Sequence, residues 1–185
     1  MAEDTHYFLA VPLPAEVKEM LAKWQEQLRK NLPYKQWPHP EDLHITLKFF
    51  GPVSDNKRKQ LTKSLRDLEK VRGFTIETGG IGFFGNPKKP RVLWAGAERT
   101  EALLSLAELA EEVSAQAGFA KENRPYRPHI TLAKRWAGDE DPNLRELEKE
   151  FTERKRIDIE GIALYKIHPG QTPKYEPFEE FKLLP

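Results

Sequence analysis

The tetrapeptide His44-Ile45-Thr46-Leu47 recurs unchanged as His129-Ile130-Thr131-Leu132, 85 residues further on (129 − 44 = 85). The flanks keep that spacing to within two residues. Phe8-Leu9-Ala10 heads one amphipathic helical pattern as Leu93-Trp94-Ala95 heads another, and Thr75-Ile76-Glu77 has a near-equivalent in Asp158-Ile159-Glu160. Two such units fill a chain of 185 residues, too few for a solenoid. Each is also too small to bury a sheet well by itself. The repeat therefore predicts one domain, residues 1–185, built as two pseudo-symmetric lobes whose motif strands face each other across a central cleft.

Periodicity supplies the elements. Apolar residues at steps of three and four predict a helix from Pro14 (Val17, Met20, Leu21, Trp24, Leu28) and one after Ser54 (Leu61, Leu65, Leu68). The same spacing marks one from Thr100 to a stop at Gly118 (Leu103, Leu106, Ala110, Val113) and one opening at Asp141-Pro142 (Leu144, Leu147, Phe151). Runs rich in β-branched and aromatic residues predict strands at 7–11, 44–50, 74–76, 91–95, 129–133, 157–166 and 178–183. Gly and Pro among the strand runs favour hairpins. The expected fold is α+β, with antiparallel sheets lining the cleft and helices outside.

Composition removes several chemistries. There is no cysteine, so disulfides, thiolate nucleophiles and Cys-ligated metals are excluded, and a reducing compartment is expected. Thirty Lys plus Arg against 29 Asp plus Glu give a net charge of +1, unlike a histone-like polycation. The opening Met1-Ala2-Glu3-Asp4 carries no basic stretch and the apolar run Tyr7 to Leu13 is short, so a cytoplasmic protein with no membrane span is expected.

In a strand, residues i and i+2 share a face, so His44 and Thr46 point one way while Ile45 and Leu47 pack inward, and His129 and Thr131 repeat the pattern. Packing has little use for an imidazole at the same place twice. Zinc normally takes a third protein ligand, and neither motif holds a carboxylate. A serine-protease-like triad lacks a repeated Asp. General acid and base catalysis fits: one imidazole accepts a proton, the other donates one, and the flanking hydroxyls bind the non-bridging oxygens of a phosphate. The natural substrate is a strained 2′,3′-cyclic phosphodiester.

The doubled His-Ile-Thr-Leu, with Lys48-Phe49-Phe50-Gly51 after the first copy and Arg127-Pro128 before the second, resembles the two-histidine phosphoesterases. More narrowly it is similar to the RNA 2′,3′-cyclic phosphodiesterases, once named 2′-5′ RNA ligases. Phe8 to Pro14, Asn86 to Gly96 and Leu164-Tyr165-Lys166 extend the likeness over the chain. The resemblance implies hydrolysis of RNA 2′,3′-cyclic phosphate ends to a 2′-phosphomonoester without a metal or other cofactor. His44 would be the proton donor and His129 the proton acceptor, with Thr46 and Thr131 binding the phosphate. Where the family often has arginine, five residues after the second histidine, this chain has Lys134, with Arg135 next. Strict alternation puts Arg135 on the face of His129, whereas a bulge puts Lys134 there. Lys48, Phe83, Phe84, Tyr126 and Arg127 are expected to contact the substrate, an RNA end or nucleotide, on a monomeric enzyme. End joining by the reverse reaction and a non-catalytic nucleotide-binding module are the alternatives.

Overall fold

The computed structural model describes residues 4–185; the opening residues Met1 to Glu3, read above as lacking a basic stretch, lie outside the described residues. The chain is α+β, with nine strands and four α-helices among the described residues. The strands are β1 (His6–Pro12), β2 (Tyr34–Gln36), β3 (His44–Pro52), β4 (Phe74–Asn86), β5 (Lys89–Ala97), β6 (His129–Trp136), β7 (Arg154–Ile159), β8 (Gly161–Ile167) and β9 (Tyr175–Lys182). The helices are α1 (Ala15–Arg29), α2 (Asp55–Leu65), α3 (Glu101–Gln116) and α4 (Leu144–Glu150). No helix of the described residues is long and apolar enough to cross a membrane.

Helix boundaries follow capping chemistry. Ser54 and Thr100 accept the backbone N–H groups of Lys57 and Leu103, satisfying donors that the first turn leaves free. Gly118, at φ +91, ends the third helical pattern where a side chain would be strained. The fourth helix departs from expectation. It starts at Leu144 because Asp141 binds the Asn143 N–H in a turn and Asn143 adopts φ 51, which holds Asp141 and Pro142 outside the helix.

Two antiparallel sheets result, ordered β3-β1-β8-β9 and β2-β6-β5-β4-β7. The triplet β3-β1-β8 of one matches β6-β5-β4 of the other. The two sequence halves nevertheless exchange strands between the sheets. β4, from the first half, completes the second sheet, and β8, from the second half, completes the first. Helices cross as well: α1 leaves β1 to pack on β6 of the other sheet, and α3 leaves β5 to pack on β3. Exchange solves the burial problem of a half-sized unit, since one continuous core runs through both halves.

The run 157–166, expected as one strand, breaks at Glu160 into β7 and β8, which serve different sheets. Its repeat partner β4 stays unbroken over 13 residues, pairing through Phe74–Gly79 with β7 and through Thr78–Asn86 with β5. The short β2 was not anticipated. It holds only three residues and pairs with the edge of β6 through Tyr34 and Gln36.

Candidate active site

His44 opens β3 and His129 opens β6. Ile45, Leu47, Ile130 and Leu132 are buried beneath them, and each such burial stabilises by about 1.5–3 kcal/mol, so a one-residue slip that exposed them is strongly disfavoured. His44, Thr46, His129 and Thr131 are thereby held on the opposite, half-buried face. β3 and β6 belong to different sheets but lie against each other, which brings both motifs to one seam.

The two imidazoles are oriented alike. His44 Nδ1 lies 2.6 Å from the Asp42 carbonyl oxygen and His129 Nδ1 lies 2.7 Å from that of Arg127. A carbonyl only accepts, so Nδ1 carries the hydrogen in both rings and Nε2 is the atom left for chemistry. Asp42 and Arg127 are themselves one repeat apart, but their side chains differ because the backbone oxygen does the work. Nε2 of His44 lies 2.8 Å from Thr46 Oγ1 and, when neutral, accepts its hydroxyl hydrogen.

Burial makes both rings hard to charge. It lowers the His44 pKa from 6.5 to about 4, against opposition from the Asp42 carbonyl and carboxylate. The causes also include repulsion from His129 and Lys134, which places both within electrostatic reach. His129 is lowered as well, chiefly by burial, with the Arg127 carbonyl opposing. An aromatic cage explains the stronger effect at His44: Phe8 lies 4.7 Å and Tyr175 5.4 Å from its ring, with Tyr165 at 6.4 Å. His129 meets Phe84 edge-on at 4.9 Å.

A bulge decides between Lys134 and Arg135. Trp94 pairs with Thr131 but Leu93 with Ala133, so Leu132 is the extra residue, and Leu132 and Ala133 are both buried. The alternation resets, putting Lys134 on the face of His129 and Thr131. Arg135 takes φ 64 and turns off that face. Burial lowers the Lys134 pKa, with repulsion from Lys174 and Arg135 adding. The first motif bulges at the equivalent residue: Leu9 pairs with Lys48 and Ala10 with Thr46, skipping Leu47.

A cleft of about 670 Å³ runs beside the seam, lined among others by Thr46, Phe49, Phe84, Arg91, Tyr126, Arg127 and His129. Four of the expected substrate contacts, Lys48, Phe84, Tyr126 and Arg127, therefore line it. Phe83 does not; it packs against the core on the opposite side of β4 from Phe84. Lys48 borders the cleft, but its ammonium is taken up by Glu111 (2.8 Å) and the Ala120 carbonyl (2.9 Å). Asp42, missed in the sequence, is buried, and its carboxylate accepts the backbone N–H groups of Lys174 and Tyr175. It thus pins the start of β9, and the Tyr175 ring, against His44. Of the three other histidines, His6 lies 6.2 Å from the Phe49 ring, His39 caps a turn through Glu41 N–H and His168 contacts Glu176. Among the described residues no three His, Asp or Glu side chains are grouped to share a metal ion.

A family profile described as LigT like Phosphoesterase matches residues 11–94 and 97–175. The chain belongs to that family. Among curated relatives of this LigT-like chain, a Bacillus subtilis protein named RNA 2′,3′-cyclic phosphodiesterase is 38% identical over 96% of each chain. One of the same name from Geobacillus stearothermophilus is 35% identical over 97% of this chain, which spans 58% of that relative's length. Among solved structures, Escherichia coli LigT complexed with 3′-AMP superposes with a TM-score of 0.76 at 26% identity, covering 98% of this chain and 99% of that one.

Proposed function

We propose that this LigT-like chain hydrolyses 2′,3′-cyclic phosphodiester ends of RNA to 2′-phosphomonoesters, with two histidines as acid and base and no metal. The observation that carries this reading is the matched orientation of His44 and His129. Each ring is fixed by an Nδ1–H bond to a carbonyl and offers Nε2 at the seam. The names of its relatives support the substrate class.

In the proposed reaction His129 Nε2 takes a proton from water as the water oxygen bonds to phosphorus. The bond from phosphorus to the 3′ oxygen breaks, and His44 Nε2 delivers a proton to that oxygen. Exchange with solvent restores both rings. Both imidazoles resist protonation before substrate binds, so the phosphodiester's own negative charge draws the required proton onto His44. Thr46 and Thr131 hydroxyls and the Lys134 ammonium hold the non-bridging oxygens as charge develops. Arg127 and Phe84 along the cleft serve the nucleoside.

The test is hydrolysis of an oligonucleotide ending in a 2′,3′-cyclic phosphate, in EDTA, with the product phosphate located. A 2′-phosphate formed at full rate is expected. A 3′-phosphate would reverse the acid and base assignment, loss of rate in EDTA would overturn metal independence, and binding without turnover would overturn the enzyme reading.

A further inference from the structure

Between the end of α3 and the start of β6 the chain runs through residues 117–128 without helix or strand. It nevertheless supplies the Arg127 carbonyl that fixes the His129 ring. A stretch without its own backbone ladder keeps its position through side-chain bonds, and here these converge on β3. At its start, Lys48 Nζ donates to the Ala120 carbonyl (2.9 Å) and to Glu111 Oε2 (2.8 Å), and the same carboxylate oxygen accepts the Glu122 N–H (3.1 Å). At its end, the Tyr126 hydroxyl donates to the Thr46 carbonyl at 2.7 Å.

The position of that last bond matters. Tyr126 is the neighbour of Arg127, whose carbonyl orients His129, and Thr46 is the residue whose hydroxyl meets His44 Nε2. β3 and β6 lie in different sheets, so no ladder of backbone bonds sets one motif against the other. We propose that residues 117–128 form a brace registering the two motif strands, with Tyr126 as the positioning residue near His129 and the Lys48–Glu111 ion pair as its foot.

The foot is suited to the task. The Lys48 and Glu111 side chains are only 6% and 19% exposed, so each charge depends on the other for compensation. Burial pushes the Tyr126 phenol well above its usual range, which keeps its hydroxyl a donor at any working pH. One hydrogen bond at this point acts as a spacer because proton transfer depends steeply on the placement of Nε2.

The kinetic half of the test rests on the cyclic phosphodiesterase reading; the spectroscopic half does not. Tyr126→Phe removes the donor and keeps the ring. It is expected to lower kcat roughly ten- to hundred-fold while KM stays within about twofold, as for an interaction that matters only in the transition state. In nitrogen-resolved NMR, wild-type His129 is expected as the Nδ1–H tautomer, and Tyr126→Phe as a mixture of tautomers, with the His44 signals unchanged. Unaltered kcat with unaltered His129 signals overturns the brace. A rise in KM alone also overturns it, since Tyr126 would then be a substrate contact. Should the wild type lack cyclic phosphodiesterase activity, the functional reading falls and the His129 signals still decide the brace. If Tyr126→Phe does not fold, Glu111→Gln loosens the foot instead and is expected to shift the His129 signals in the same direction.

Discussion

The two copies of His-Ile-Thr-Leu share four residues, a bulge at the fourth and a carbonyl clamp two residues upstream, yet they are chemically unequal. His44 sits among Phe8, Tyr165 and Tyr175 and bonds its own threonine, while His129 has one aromatic neighbour edge-on. Two positions past the bulged leucine the first copy presents Phe49, 59% exposed, where the second presents Lys134. A duplicated backbone thus carries an apolar half that disfavours a charged imidazole and a cationic half suited to an anion. In the proposed reaction the inequality suits two histidines with separate tasks, because acid and base need different environments.

Removing either imidazole is the severest way to test that division. His44→Ala and His129→Ala are each expected to reduce turnover of a cyclic-phosphate oligonucleotide by roughly 10²–10⁴-fold. The losses should not multiply in the double variant, as happens when two groups act in one step. Near-normal turnover in either single variant would end the two-histidine reading. Lys134→Met is next in size. Loss of one charge-assisted contact to the phosphate is expected to raise KM about tenfold, a cost of about 1.4 kcal/mol, and Lys134→Arg should recover most of it. Equal damage from Arg135→Met would contradict the placement of Arg135 off the site face.

Acid stability probes the same asymmetry without substrate. The folded-state pKa of His44, about 4, lies below its usual 6.5. Its neutral ring therefore adds stability that is fully present above 6.5 and lost as pH falls toward 4, because the unfolded chain binds that proton first. His129 adds in the same direction. The urea midpoint is expected to fall between pH 7 and 4.5, and to fall less in His44→Ala than in the wild type. Equal slopes would mean that the cage around His44 does not exclude charge.

Much of this was legible in the sequence, and where it was not the reasons are physical. The repeat located both motif strands, and apolar spacing placed the helices, since both depend on local periodicity. The exchange of β4 and β8 between sheets was not legible, because pairing partners so far apart leave no local pattern. Asp42 escaped notice because its carbonyl is the functional atom at His44, and any residue has one. The same blindness hid the work of Arg127. The choice between Lys134 and Arg135 turned on a bulge, which shows in sequence as nothing more than two adjacent apolar residues, Leu132 and Ala133. Lys48 read as a substrate contact, but the partner that claims it, Glu111, is 63 residues away.

The smallest expected effect is the most specific to the comparison. Lys134 lies on β6, yet its charge helps to hold down the pKa of His44 on β3, so the cationic half of the site tunes the apolar half. In Lys134→Met the His44 pKa, followed by NMR in the absence of substrate, is expected to rise from about 4 toward 6.5. The rise should be partial, since burial is the larger cause and the variant leaves Phe8 and Tyr175 in place. Inorganic phosphate bound at Lys134 in the wild type should act in the same sense by neutralising the ammonium and placing an anion near the ring. If Lys134→Met leaves His44 unmoved, the two halves are electrically independent. The coupling by which a bound phosphodiester would ready His44 as the acid must then come from the anion alone.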